Sequence, residues 1–230
     1  MQPDKSKTQK FDTPAPVTAV VGIPAGHIRF IAADRTDTTV EILPADASRS
    51  RDVKAARQTT VAYADGILHI DASAARNRLL GATGALEVTV QLPAGSRVEA
   101  KAASAALRGV GRLGDVVFES AHGAVKLDEA AHTRLSLLAG DITVHRLSGP
   151  SEISTHKGDL RVTEAVRGKI TLHTEHGDIT VGTARGTSAT LDAATNHGRI
   201  DNTLTNTDGP DAALALHATT AYGNITARSL

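Results

Sequence analysis

Three acidic residues, Asp141, Asp159 and Asp178, each follow a glycine in Gly140-Asp-Ile-Thr-Val144, Gly158-Asp-Leu-Arg-Val162 and Gly177-Asp-Ile-Thr-Val181. If such segments stack as strands, their carboxylates lie about 5 Å apart, a separation that suits paired-carboxylate glycoside hydrolysis or a calcium site. The competing role is conformational, because Gly-Asp is a common turn pair whose carboxylate caps backbone N–H groups. Capping is favoured: Ala124, Arg199 and Asn224 interrupt the column, and the aromatic platforms that bind sugars are nearly missing, with three Phe, two Tyr and no Trp in the chain.

Histidine offers a second chemistry. His122, His176 and His197 directly precede a glycine of the same series, and His156 and His173 lie near that corner. Two imidazoles on neighbouring strands could hold zinc or copper. No third ligand is fixed by the spacing, and Ala139, Lys157 and Tyr222 occupy the same position elsewhere, so these histidines are expected as solvated strand-end residues. Arg146, Arg161, Arg167 and Arg185 could form a basic stripe, but a mixed solvated face is favoured. There is no Gly-x-Gly-x-x-Gly opening a helix, no phosphate loop and no Gly-x-Ser-x-Gly elbow. No cofactor and no catalytic residue is therefore assigned.

The element that must position these side chains is a repeat. Aligned on Gly123, Gly140, Gly158, Gly177, Gly198 and Gly223, six segments share one pattern, with glycine spacings of 17, 18, 19, 21 and 25. Apolar and polar residues alternate on both sides of the glycine, the signature of strands with one buried face. One inward column reads Phe118, Leu135, Ile153, Leu172, Ala193, Ala218, and a second reads Ser120, Leu137, Thr155, Thr174, Thr195, Thr220. Beyond the glycine the columns are Val125, Ile142, Leu160, Ile179, Ile200, Ile225 and Leu127, Val144, Val162, Val181, Asn202, Ala227. A second corner is marked by Gly114, Gly149 and Gly168, so each coil has two short strands and two turns.

Columns that stay in phase favour stacked coils over a meander of hairpins. The expected fold is all-β: a β-solenoid of coils of about eighteen residues, preceded by an irregular N-terminal β portion. Residues 96–230 form the coils, about seven including a degenerate one around Ala105. Residues 11–95 cap the first coil's open edge, and 1–10 are a disordered leader. Strands are expected at Val17–Ile23, Gly26–Ala32, Thr38–Leu43, Thr59–Tyr63, Gly66–Ile70 and Leu86–Leu92, and Gly26-His-Ile-Arg-Phe30 echoes the repeat. Ile23-Pro-Ala-Gly26 and Leu92-Pro-Ala-Gly95 mark turns expected at equivalent places.

The Gly-Asp-Ile-Thr-Val series, behind Thr38-Thr-Val-Glu-Ile42, resembles the bacterial β-strand-repeat "putative adhesin" family of unknown function, in its cytoplasmic-looking actinobacterial form. The resemblance runs from about Phe11 to Leu230 and implies a β-solenoid with no catalytic residues to transfer. Lys plus Arg and Asp plus Glu both total 25, so no global field draws nucleic acid or an anionic membrane. The absence of cysteine leaves the redox compartment open; with no apolar leader segment and no apolar run long enough to span a bilayer, the chain is expected to be soluble, cytoplasmic and not inserted in a membrane. The leading function is non-enzymatic binding of a protein partner or self-association, including pairing through an exposed end coil. The alternatives are a polysaccharide-acting or calcium-binding enzyme built on the Asp ladder, and an accessory role in envelope-stress signalling, the last implied only by the resemblance.

Overall fold

Alternation of small aliphatic and polar residues makes most of the described residues strand. In a computed structural model that describes residues 7–72 and 84–230, the strands join in one 17-stranded sheet. They are β1 Lys7–Asp12, β2 Thr18–Ala33, β3 Asp37–Pro44, β4 Thr60–Ala64, β5 Ile67–Asp71, β6 Leu86–Pro93, β7 Arg97–His122, β8 Val125–Ala139 and β9 Ile142–Leu147. There follow β10 Ser151–Lys157, β11 Leu160–Ala165, β12 Gly168–His176, β13 Ile179–Thr183, β14 Ala189–His197, β15 Ile200–Thr203, β16 Leu214–Tyr222 and β17 Ile225–Ser229. Among the described residues one α-helix, α1, spans Ser50–Gln58.

The stacking that the columns demand is present. Leu160 pairs with Ile142 on one side and Ile179 on the other, in parallel ladders. Segments before the corner glycine form one array and segments after it a second, and the long strands β2, β7 and β8 run through corners from one to the other. Leu135, Ile153 and Leu172 in the first array and Ile142, Leu160 and Ile179 in the second are all at 1 % exposure or less. Each such side chain contributes about 1.5–3 kcal/mol of burial. A narrow interior of this kind needs no large rings, which accounts for the composition.

Space and sequence disagree at both ends of the stack. In spatial order the coils are residues 67–71 with 86–92, then 18–33, 97–111, 115–130, 132–147, 151–165, 168–183, 214–229 and 189–203. The first and last coils of the chain are thus each sandwiched one level inside the stack. The long glycine spacings of 21 and 25 have a mechanical cause: after Thr183 the chain skips a level, and after Thr203 it returns to fill it. Ser188 pins the returning segment, its Oγ accepting from the N–H groups of Thr207 and Asp208 at 3.1 Å and donating to Asn206 Oδ1.

Three expectations about the N-terminal region change. The strands foreseen between Val17 and Leu92 are all present, but β2 and the β5–β6 pair are coils themselves rather than an irregular cap. The cap consists of β1 and β3 antiparallel on β6, β4 antiparallel on β5, and α1. The leader is shorter than 1–10, since Lys7–Asp12 pairs with β3 through alternating side chains that include Phe11; residues 1–6 lie outside the described residues. The two Pro-Ala-Gly turns occupy opposite corners, because Pro24 precedes the Gly26 corner while Pro93 ends a strand of the other array. Helix α1 tucks Ala55 and Ala56 inward, and buried Asp52 accepts from the Ala85 N–H at 3.0 Å.

Candidate functional site

The repeat's corner is built from the backbone outward. Gly123, Gly140, Gly158, Gly177 and Gly223 adopt φ between +138° and +155°. A Cβ on any of them would lie 1.7–2.2 Å from the carbonyl oxygen of the residue one coil away. Glycine is therefore required twice, by conformation and by the neighbouring carbonyl. Gly26 repeats the arrangement against Leu86 at 1.9 Å, so its faint motif marks a true corner.

The Asp ladder serves this ridge. Asp141 Oδ1 accepts from the Asp159 N–H at 2.9 Å, Asp159 Oδ1 from the Asp178 N–H at 2.8 Å, and Asp178 Oδ1 from the Asn224 N–H at 2.7 Å. Asn224 Oδ1 continues the series to the Arg199 N–H at 3.0 Å. Each side chain caps the next coil rather than its own turn, which is why Asn substitutes in the column. The threonines behind the ridge have a matching task. Thr155, Thr174, Thr195 and Thr220 each donate Oγ1 to a corner-glycine carbonyl at 2.9–3.3 Å. The sequence pattern places these threonines inward but does not disclose why a polar residue recurs there.

The histidines do not converge. His176 and His197 were candidates for neighbouring levels, but the inserted coil puts Tyr222 between them, stacked at 4.9 Å on one ring and 4.7 Å on the other. His156 faces Glu175 at 3.5 Å, and His173 Nδ1 lies 2.8 Å from Thr219 Oγ1. Among the described residues no three His, Asp or Glu side chains gather in a group that could hold a metal ion.

The outer faces carry charge in opposed pairs one coil apart. Arg97 meets Asp115 at 3.0 Å, Lys101 meets Glu119 at 2.7 Å, Arg134 meets Glu152 at 3.5 Å, and Arg146 meets Glu164. Arg167 donates to the Ser148 carbonyl. Of the arginines considered for a basic stripe, Arg146 and Arg167 are engaged in this way.

The two ends of the stack differ. At one end β1 and β4 close over the interior, with the Phe11 and Tyr63 rings 5.5 Å apart. At the other, β14 and β15 form the outermost coil. All of β15 is exposed, and Ile200, at the end of the Ile142–Leu160–Ile179–Ile225 column, is 46 % exposed. The Ile225 N–H uses the Arg199 carbonyl. By the alternation of a parallel ladder, the N–H and C=O of Ile200 then point away from the stack, toward an empty strand position.

A family described as Toastrack DUF4097 matches residues 20–226. No curated protein matches the chain. Among solved structures, a "putative adhesin" from Parabacteroides distasonis is similar over 96 % of this chain and 97 % of its own, with 14 % identity and a TM-score of 0.53. A "putative lipid binding protein" from the same organism is similar over 96 % of each chain, with 13 % identity and a TM-score of 0.51. At these identities the likeness is one of fold.

Proposed function

Since the chain belongs to the Toastrack DUF4097 family, whose fold supplies a stack of coils, we propose that it is a non-enzymatic assembly protein that pairs through its bare end coil. The observation that carries this is the contrast between the ends, one closed by antiparallel strands and one leaving Ile200 and the edge of β15 uncovered. A head-to-tail filament is disfavoured by the closed end, so the partner is a second copy meeting the same end about a two-fold axis.

The residues around Ile200 are self-complementary. In an antiparallel pair centred there, Ile200 faces its own copy and exchanges two backbone hydrogen bonds, while Arg199 of each chain faces Asp201 of the other. The aliphatic column continues through the junction. The absence of catalysis in this reading is supported by the Asp ladder, where one oxygen of each carboxylate is already committed to a backbone N–H.

Sedimentation velocity over a concentration series tests the proposal. A monomer–dimer equilibrium is expected for the native chain, weakened by Arg199→Asp or Asp201→Arg and restored when both are combined. A chain that stays monomeric up to millimolar concentration, or a double variant no better than either single one, refutes it.

A further inference from the structure

One column of the array that follows the glycine corner breaks the rule of opposed charges. Reading across the coils it runs Glu41, Thr89, Arg29, Arg108, Lys126, Thr143, Arg161, Thr180, Thr226, Asp201. Arg29, Arg108 and Lys126 therefore stand side by side on three consecutive levels, about 4.8 Å apart at the backbone. Elsewhere, Arg97, Lys101, Arg134 and Arg146 each meet a carboxylate one level away.

Only the middle member is engaged. Arg108 is held by Asp128 at 2.6 Å and donates to the carbonyls of Gly109 and Lys126, while Asp128 also accepts from the Gly111 N–H. Asp128 thus fixes the Arg108 guanidinium without covering its neighbours. Arg29 and Lys126 are exposed, and among the described residues neither side chain makes an ion pair. Beside the column, Ala106 and Ala124 stand where larger residues would fill the surface. The result is a depression of about 430 Å³ whose base is the strand backbone at Ile28, Val88 and Leu107, with His27 and Glu87 also lining it.

We infer that this depression is a binding site for a phosphoryl group, gripped by Arg29 and Lys126 on either side of a pre-positioned Arg108. With Asp128 balancing Arg108, the charges of Arg29 and Lys126 on either side remain uncompensated, and a tetrahedral oxyanion offers an oxygen to each of the three side chains. The small side chains of Ala106 and Ala124 leave room for what the phosphoryl group is attached to. The inference is independent of end-to-end pairing, since the site lies on a face, several coils from β15.

The probes are inorganic phosphate, titrated by calorimetry at low salt, and phosphatidylcholine vesicles with and without phosphatidylglycerol, read by co-sedimentation. Native protein should bind phosphate with an affinity that falls as salt rises. Arg29→Gln combined with Lys126→Gln should weaken it at least tenfold, and Lys101→Gln, on the other face, should leave it unchanged. Both glutamine substitutions are at exposed positions, and a circular dichroism melt checks that the variant folds. Phosphatidylglycerol-dependent sedimentation lost in the same variant identifies a lipid headgroup as the source, whereas phosphate binding without sedimentation identifies a soluble phosphorylated ligand. The inference is overturned if native protein binds no phosphate, or if the double variant binds it as well as the native chain.

Discussion

Replacing Gly158 by alanine isolates what the corner ridge contributes. At φ +148° the new Cβ would lie 2.2 Å from the Gly140 oxygen and 2.6 Å from its carbon. Ordinary contact begins near 3.4 Å, so backbone must yield by about 1 Å. The ladder cannot stretch that far without losing bonds such as Gly140 N–H to the Lys157 carbonyl at 2.8 Å and Ile142 N–H to the Asp159 carbonyl at 2.9 Å. Two lost bonds at about 1 kcal/mol each, plus roughly 1–3 kcal/mol for a side chain in a conformation reserved for glycine, give about 3–5 kcal/mol. Against a typical total of about 5–15 kcal/mol that is a large fraction. Gly186 is the control: its φ is +74°, but no atom lies within 4 Å of its would-be Cβ, so Gly186→Ala should cost only about 1–2 kcal/mol. Urea unfolding followed by circular dichroism measures both. Equal destabilisation would refute the claim that the neighbouring carbonyl, and not the turn alone, selects glycine.

The capping role of the ladder predicts that Asp159→Asn, which keeps an oxygen for the Asp178 N–H, changes stability by less than about 0.5 kcal/mol, while Asp159→Ala costs about 1 kcal/mol; thermal melts of the two variants distinguish this from a charge effect, which would make them alike. Asp37 makes a pH prediction. Hydrogen bonds from Arg35 first and Lys10 second hold its carboxyl at about 2, against an ordinary 3.8. A carboxyl lowered in the folded state stabilises it fully above pH 3.8 and loses that contribution as pH falls through about 2. Since Lys10 is in β1 and Asp37 opens β3, amide resonances of β1 should shift in that window before the coils unfold, and a β1 that responds only with global unfolding would count against the link.

The repeat was readable because stacking imposes one requirement at one place in every coil. Glycine at the corner, in most copies Asp or Asn after it, and a branched aliphatic residue after that each answer a contact to the next level, so the pattern recurs with the contact. The strands before residue 93 were readable by alternation, but their coil membership was not, because β5 and β6 stand far apart in sequence and β2 precedes them. Periodicity reports neighbours along the chain, and here the neighbours in space are different. The same gap explains the histidines: His176 and His197 are successive in sequence but Tyr222, from the next copy, separates them. Helix α1 went unseen because its apolar content is two alanines and a valine in a polar stretch. The cationic column escaped notice since Arg29 belongs to a segment with no obvious period.

Spatial order also resolves why the copies decay unevenly. The copy holding Ala193, Asn202 and Gly198-Arg-Ile is penultimate in the chain yet more eroded than the last, whose Leu214, Leu216, Ala218 and Ile225 are all buried. In a stack where each coil touches only its neighbours, the outermost member has one apolar contact fewer and is the place for polar substitution. Residues 189–203 hold that outermost place, and their inward column is correspondingly small and polar. A complete cap, however, would have replaced Ile200 as well. Its retention on an otherwise polar strand, between a cation and an anion that match each other under two-fold symmetry, is what a solvent-facing cap does not require and a paired edge does.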